Sequence, residues 1–264
     1  MTTVKEIESF LDMTAPKRLK MDFDNVGFLV GEKNAIVSRI LVALDITPAV
    51  VAEALRIGAQ CIVSHHPVIF RALKRVTDED TVGEMIIGMI RSGISAICMH
   101  TNLDLAPEGV NDMLARKLGL TDIEVFTQKQ EDPLLGTVGL GRIGRLPQAM
   151  MPELFCAHVR KSLGCKGLRF VAGEKNISRI AVGGGRCGDL YAEAAKAGCE
   201  AFVTSDVMYD EFQGAKALGL TLIDAGHFPT ENTVVPLLLK RLKERFPKVD
   251  IQVSAVHSEV IEYL

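Results

Sequence analysis

The stretch SRILVALDITPAVVAEALRIGAQCIVS, residues 38–64, returns 140 residues later as SRIAVGGGRCGDLYAEAAKAGCEAFVT, residues 178–204. Ser38, Arg39, Ile40 and Val42 fall on Ser178, Arg179, Ile180 and Val182. Ala52, Glu53, Ala54, Gly58 and Val63 fall on Ala192, Glu193, Ala194, Gly198 and Val203. Nine identities in 27 gap-free positions read as an internal repeat, and a repeat changes the fold assignment.

Outward from this stretch, both halves read alike. An amphipathic helix opens each (4–12 and 151–163), and an extended segment follows (27–31 and 169–173). Apolar strands are predicted at 40–44, 61–64 and 94–99, and again at 180–182, 201–204 and 220–224. The helices between them stop at Gly58, Gly93, Gly198 and Gly219, where a left-handed residue is wanted. Last strands are predicted at 123–126 and 251–256. Short apolar strands separated by helices are the pattern of βαβ units buried on both faces. The expected fold is therefore α/β: two similar lobes from an internal duplication, 1–130 and 131–264, with the functional site in the cleft between them. The polar stretch Gln128 to Pro133 is the expected linker.

Composition narrows the function. The chain has 264 residues, 48% of them hydrophobic, which is ample for a core. A net charge of -3 offers no basic field for nucleic acid or an anionic membrane. No run of about 18 apolar residues is present to span a bilayer, and Lys5, Glu6 and Glu8 interrupt any secretory leader. The cysteines at 61, 98, 156, 165, 187 and 199 stand singly, without C-x-x-C, as expected of a reduced, cytoplasmic protein.

In open α/β sheets, ligands collect at the carboxyl ends of strands. Three such ends carry chemistry here. His65 and His66 follow the strand 61–64, and both imidazoles are candidate metal ligands. They also suit two ordinary surface histidines. His100 and Asp104 lie in HTNLD, 100–104; Asp104 can bridge ions, or serve a helix N-terminus. His227 and Glu231, four apart in GHFPTE, 226–231, can clasp one ion, or belong to a capping box at Thr230. Four of the six histidines and two carboxylates in three strand-end loops favour a di-metal centre. Asp206 and Asp210 are candidate acids or bases. Gly183 to Gly185 reads either as a phosphate-cradling turn or as a tight strand-to-helix turn. P-loop and dinucleotide spacings are absent.

The segments DNVGFLVG (24–31), CIVSHHPVIF (61–70), HTNLD, TSD (204–206) and GHFPTE together resemble the Ngg-one-interacting factor three-like proteins, also called GTP cyclohydrolase 1 type 2 homologues. The resemblance covers nearly the whole chain. It implies a di-metal site between two α/β lobes and a ring-shaped homohexamer. Carried over, the metal ligands are His65, His66, Asp104, His227 and Glu231, with His100 lining the site. Phe228 stands where many members have a second histidine, and Asp206 where many have glutamate. The implied chemistry is metal-dependent hydrolysis of a nucleotide or related small molecule at purine C8, with His100 or Asp206 carrying the proton. Two divalent ions are expected; a ligand set of nitrogen and oxygen suits Zn, Mn, Fe, Co or Ni. The alternative is a non-catalytic metal-binding adaptor or regulatory ring.

Overall fold

The computed structural model describes residues 1–264, which fold as α/β with two sheets. The chain divides into two compact units. One comprises Met1–Ala106 and Val235–Ser258; the other comprises Pro107–Val234 and Glu259–Leu264. Residues 107–130, expected in the first lobe, thus belong to the second unit, and 235–258 belong to the first. No helix is long and apolar enough to cross a membrane.

The first unit is built on β1 (Gly27–Val30), β2 (Arg39–Ala43), β3 (Cys61–Ser64), β4 (Ser95–Cys98) and, from the late part of the chain, β11 (Asp250–Val253). Their order is β1-β4-β3-β2-β11. All neighbours are parallel except β1, which runs against β4. Its helices are α1 (Val4–Thr14), α2 (Pro48–Ile57), α3 (Thr81–Arg91), α4 (Thr101–Leu105) and α10 (Val235–Arg245). β3 and β4 are buried at every position, as strands covered on both faces should be. Val50, Val51 and Ala54 of α2 and Met85, Ile86 and Met89 of α3 share a core with Leu41, Ile62 and Ala96. The expected glycine stop is met at Gly58, a left-handed C-cap at φ +68. Thr3 and Glu6 form a reciprocal capping box at the start of α1.

The second unit holds β5 (Thr121–Asp132), β6 (Gly136–Met150), β7 (Arg169–Val171), β8 (Ile177–Arg186), β9 (Ala201–Ser205) and β10 (Thr221–Asp224), in the order β5-β6-β8-β9-β10-β7. β8, β9 and β10 are parallel; β7 runs against β10, and β6 against β8. Its helices are α5 (Val110–Lys117), α6 (Pro152–Leu163), α7 (Tyr191–Lys196), α8 (Tyr209–Ala217) and α9 (His227–Glu231). Phe155 and Val159 of α6 pack with Leu114 of α5 and with Ile180, Val182 and Val203 of the sheet. The expected linker is not one. Residues 128–132 are the end of β5, which turns at Pro133 into β6. Polar composition misleads there because these residues are mostly exposed on an edge strand.

Candidate metal centre

In the first unit, the candidate ligands follow two strand ends, those of β3 and β4. His65 and His66 follow β3. Both of their backbone N–H groups donate to Leu44 O, at 3.1 and 2.8 Å, so the chain leaves the pleat at once. Ser64 Oγ donates to His66 O at 2.7 Å and holds this turn. Adjacent strand residues would point to opposite faces. Here the two rings lie 4.9 Å apart, and His100, which follows β4, brings its ring within 5.3 Å of His65 and 5.5 Å of His66. One ligand atom from each of the three histidines lies within 4.8 Å of the others. Asp104, on α4, places Oδ1 3.7 Å from His65 Nε2.

Every ring is oriented from behind. His65 Nδ1 donates to Met99 O at 2.7 Å, His66 Nδ1 to Asp45 Oδ1 at 2.6 Å, and His100 Nδ1 to Asp24 Oδ1 at 2.8 Å. A carbonyl can only accept, so the proton of neutral His65 is on Nδ1 and its lone pair on Nε2. This backing by carbonyl or carboxylate is what metal-ligating histidines usually have. Asp24 is buried, which alone would raise its pKa. The hydrogen bonds from His100 and from Thr101 outweigh burial and hold its carboxyl well below the ordinary range.

The second unit carries its own cluster. Asp206 follows β9 in the left-handed region, at φ +52. His227 opens α9 just after β10. Its Nδ1 meets Asp206 Oδ2 at 2.5 Å, and its Nε2 meets Glu231 Oε2 at 3.0 Å. Burial favours the neutral imidazole, but the bonds to Asp206 and Glu231 prevail and push its pKa up to about 11. The His227 bond holds Asp206 below the usual carboxylate range. The pair of acids thus draws a cation to this point, which a divalent ion can supply in place of the proton.

Gly183 to Gly185 is neither a phosphate cradle nor a turn; it is the end of β8. Its amides are taken by side chains: Gly184 N–H donates to Asn111 Oδ1 at 2.8 Å, and Gly185 N–H to Thr230 Oγ1 at 3.1 Å. The missing Cβ is what matters. A methyl on Gly185 would stand 2.1 Å from Glu231 Oε1 and 3.3 Å from His227 Nε2. The strand is bare so that the carboxylate can lie against it. Thr230 bonds back to Gly226 O and His227 O and does not cap α9. Asp224, buried at the end of β10, accepts from Val207 N–H (3.2 Å) and Gly226 N–H (3.1 Å) and pairs with Arg169. It therefore ties the loop of Asp206 to the loop of His227.

The donors are imidazole nitrogens and carboxylate oxygens, a set that fits borderline divalent ions. No thiolate competes. All six cysteines are buried, and burial pushes Cys61 up to about 12. His158 and His257 serve the fold, bonding Leu118 O and Ser254 O. Asp210 is exposed in the first turn of α8, in neither cluster. Asp24, Asp45 and Asp224 were given no role at the site from the sequence, and Gly185 was read only as part of a phosphate-cradling or tight turn. Asp45 lies two residues past the end of β2, so the strand-end rule itself could have found it.

A family model described as Duf34/NIF3 (NGG1p interacting factor 3) matches residues 2–262. Proteins of Clostridium acetobutylicum and Clostridium perfringens, each named GTP cyclohydrolase 1 type 2 homolog, are each 33% identical to this chain. The first match covers 97% of this chain and 95% of that protein; the second covers 99% of both. Among solved structures, a Bacillus cereus protein related to NIF3 superposes with a TM-score of 0.93 at 27% identity, over 100% of this chain and 99% of that one. Reduced HcgD from Methanocaldococcus jannaschii shares the fold, with a TM-score of 0.80 at 24% identity over 96% and 97% of the two chains.

Proposed function

Since the chain belongs to the Duf34/NIF3 family, we propose that it is a metal-dependent hydrolase of a nucleotide or related small molecule, working through one dinuclear centre. The ligands assigned to the two ions are His65, His66, Asp104, His227 and Glu231. The observation that carries this reading is the common backing of the histidines: four Nδ1 atoms, each on a carbonyl or carboxylate oxygen.

The bound ions supply Lewis acidity. The remaining work falls to the chain. His100, backed by Asp24, carries a proton at Nε2 while its ring stays fixed. Asp206 keeps His227 oriented and is the second proton carrier. The reaction is cyclohydrolase-like opening of a purine at C8. Each sheet contains a run of three parallel strands flanked by an antiparallel edge, β2, β3 and β4 with β1 in one and β8, β9 and β10 with β7 in the other; we read the two runs as products of duplication, and the working form as a homohexamer.

The test is formate release from GTP by metal-loaded protein, with His65→Ala abolishing it. Turnover that survives His65→Ala refutes the assignment. One observation favours a second reading. His65, His66 and His100 already bring three imidazole donors together within one unit, with Asp104 beside His65, and a structural site needs four such donors. In that case the protein is a non-catalytic metal-binding ring. Metal that resists chelators, with no turnover in a broad substrate screen, would select it.

A further inference from the structure

Beside the three-histidine cluster, two phenyl rings stand in solvent. Phe23 is 65% exposed and Phe70 46%. They meet edge to face at 6.3 Å, and Phe70 meets the His100 ring at 6.0 Å. Adjacent exposed phenyl rings have no part in the core, and they cost free energy in water.

Both are held in place. The turn before Phe23 is pinned by Met21 N–H to Thr101 Oγ1 at 3.0 Å, and the turn after it by the two oxygens of Asp24, which hold His100 and Thr101. Asn25 Nδ2 donates to Ile69 O at 2.6 Å, one residue before Phe70. The pair is thus fastened to the same groups that orient His100.

The chain then runs Arg71, Ala72, Leu73, Lys74, Arg75, all exposed and outside regular secondary structure. Of the three acids that follow, Glu79 pairs with Arg75 and Asp80 caps α3 through Gly83 N–H, while Asp78 stands exposed. Arg71 and Lys74 enter no ion pair. Chain length alone keeps Lys74 within about 14 Å of Phe70.

We propose that Phe23 and Phe70 form a shelf on which a purine base stacks beside His100, with Arg71 and Lys74 receiving its phosphates. The ligand class is a mononucleotide: one purine stacks on the face of one phenyl and meets the edge of the other, which stands at 73° to it, and the chain keeps both cations within about 14 Å of Phe70, inside the reach of a polyphosphate. This orientation sets the base, not the phosphates, against the imidazole cluster. The inference rests on the hydrolase reading and names the part of that site which grips substrate.

Equilibrium dialysis of the full chain against GTP, guanosine and tripolyphosphate tests it, with metal content measured separately on each protein. Phe70→Ala and Phe23→Ala should each weaken GTP binding on the order of tenfold and leave tripolyphosphate unchanged. Arg71→Ala and Lys74→Ala should weaken GTP and tripolyphosphate together, and wild-type binding should fall with salt. GTP affinity within twofold of wild type in both phenylalanine variants overturns the shelf. So does tighter binding of an oligonucleotide than of GTP. If wild type holds metal but no GTP, the shelf fails while the metal reading stands. If wild type holds no metal, the hydrolase reading fails instead.

Discussion

Gly185→Ala is the most direct probe of the second-unit cluster. The backbone at Gly185 is left-handed, at φ +65, which costs an L-residue about 1–2 kcal/mol. The added methyl would stand 2.1 Å from Glu231 Oε1. Carbon–oxygen contacts close to no less than about 3.3 Å, so the carboxylate must retreat by about 1 Å. Glu231 is buried, and its other oxygen is on His227, so the retreat disturbs both groups. Stability should fall by about 1–2 kcal/mol, which a domain of ordinary stability survives. Metal affinity should fall at least as far as when an orienting partner is lost, about 10–100-fold. The assay is titration with Zn or Co against a chromophoric chelator, with urea denaturation in parallel. A variant that loses stability as expected yet binds metal within twofold of wild type would show that Glu231 is no ligand.

Asp224→Ala removes the acceptor shared by Val207 and Gly226 and the partner of Arg169; we expect roughly 10–100-fold weaker metal binding, checked by the same titration, with Asp224→Asn restoring part of it. Glu8 is buried, which raises its pKa, but Lys17 and Lys33 prevail and lower it. Because its folded pKa is the lower one, its contribution is present above the unfolded value of about 4.3 and is lost as pH falls through the folded value. Glu8→Gln should therefore destabilise the chain at pH 7 and lose that difference in acid, as denaturation at pH 7 and pH 3 will show. Gly88 lies in α3 with open space where a Cβ would be. Gly88→Ala should stabilise the chain by about 0.4–1 kcal/mol in urea melts and leave metal binding unchanged.

The strands were legible because burial on both faces leaves uninterrupted apolar runs: the expected 61–64 is β3. The glycine stops were legible because only glycine rests easily at positive φ. The edge hairpin was hidden. Its residues 128–132 are polar because they face solvent, and polarity alone cannot separate an edge strand from a linker. The unit boundary was hidden too, since β11 returns to β2 across the whole second unit. Of the site, His65 and His66 with His100, and His227 with Glu231, stand in two clusters as ligand-type residues. Their supports were harder to see. Asp24 reaches His100 across 76 residues, and Met99 serves through a carbonyl that any residue would provide.

The return of β11 to β2 also sets a timetable for synthesis. Arg39 and Asp250, ion-paired across that seam, are 211 residues apart in the chain. At about 5–20 residues per second the ribosome needs roughly 10–40 s to deliver the second after the first. Through that interval the nascent chain carries RILVA with one flank lacking its neighbour, a template for any extended peptide nearby. Pro107–Val234, by contrast, emerges as one continuous run. The N-terminal sheet, begun first, is therefore closed last.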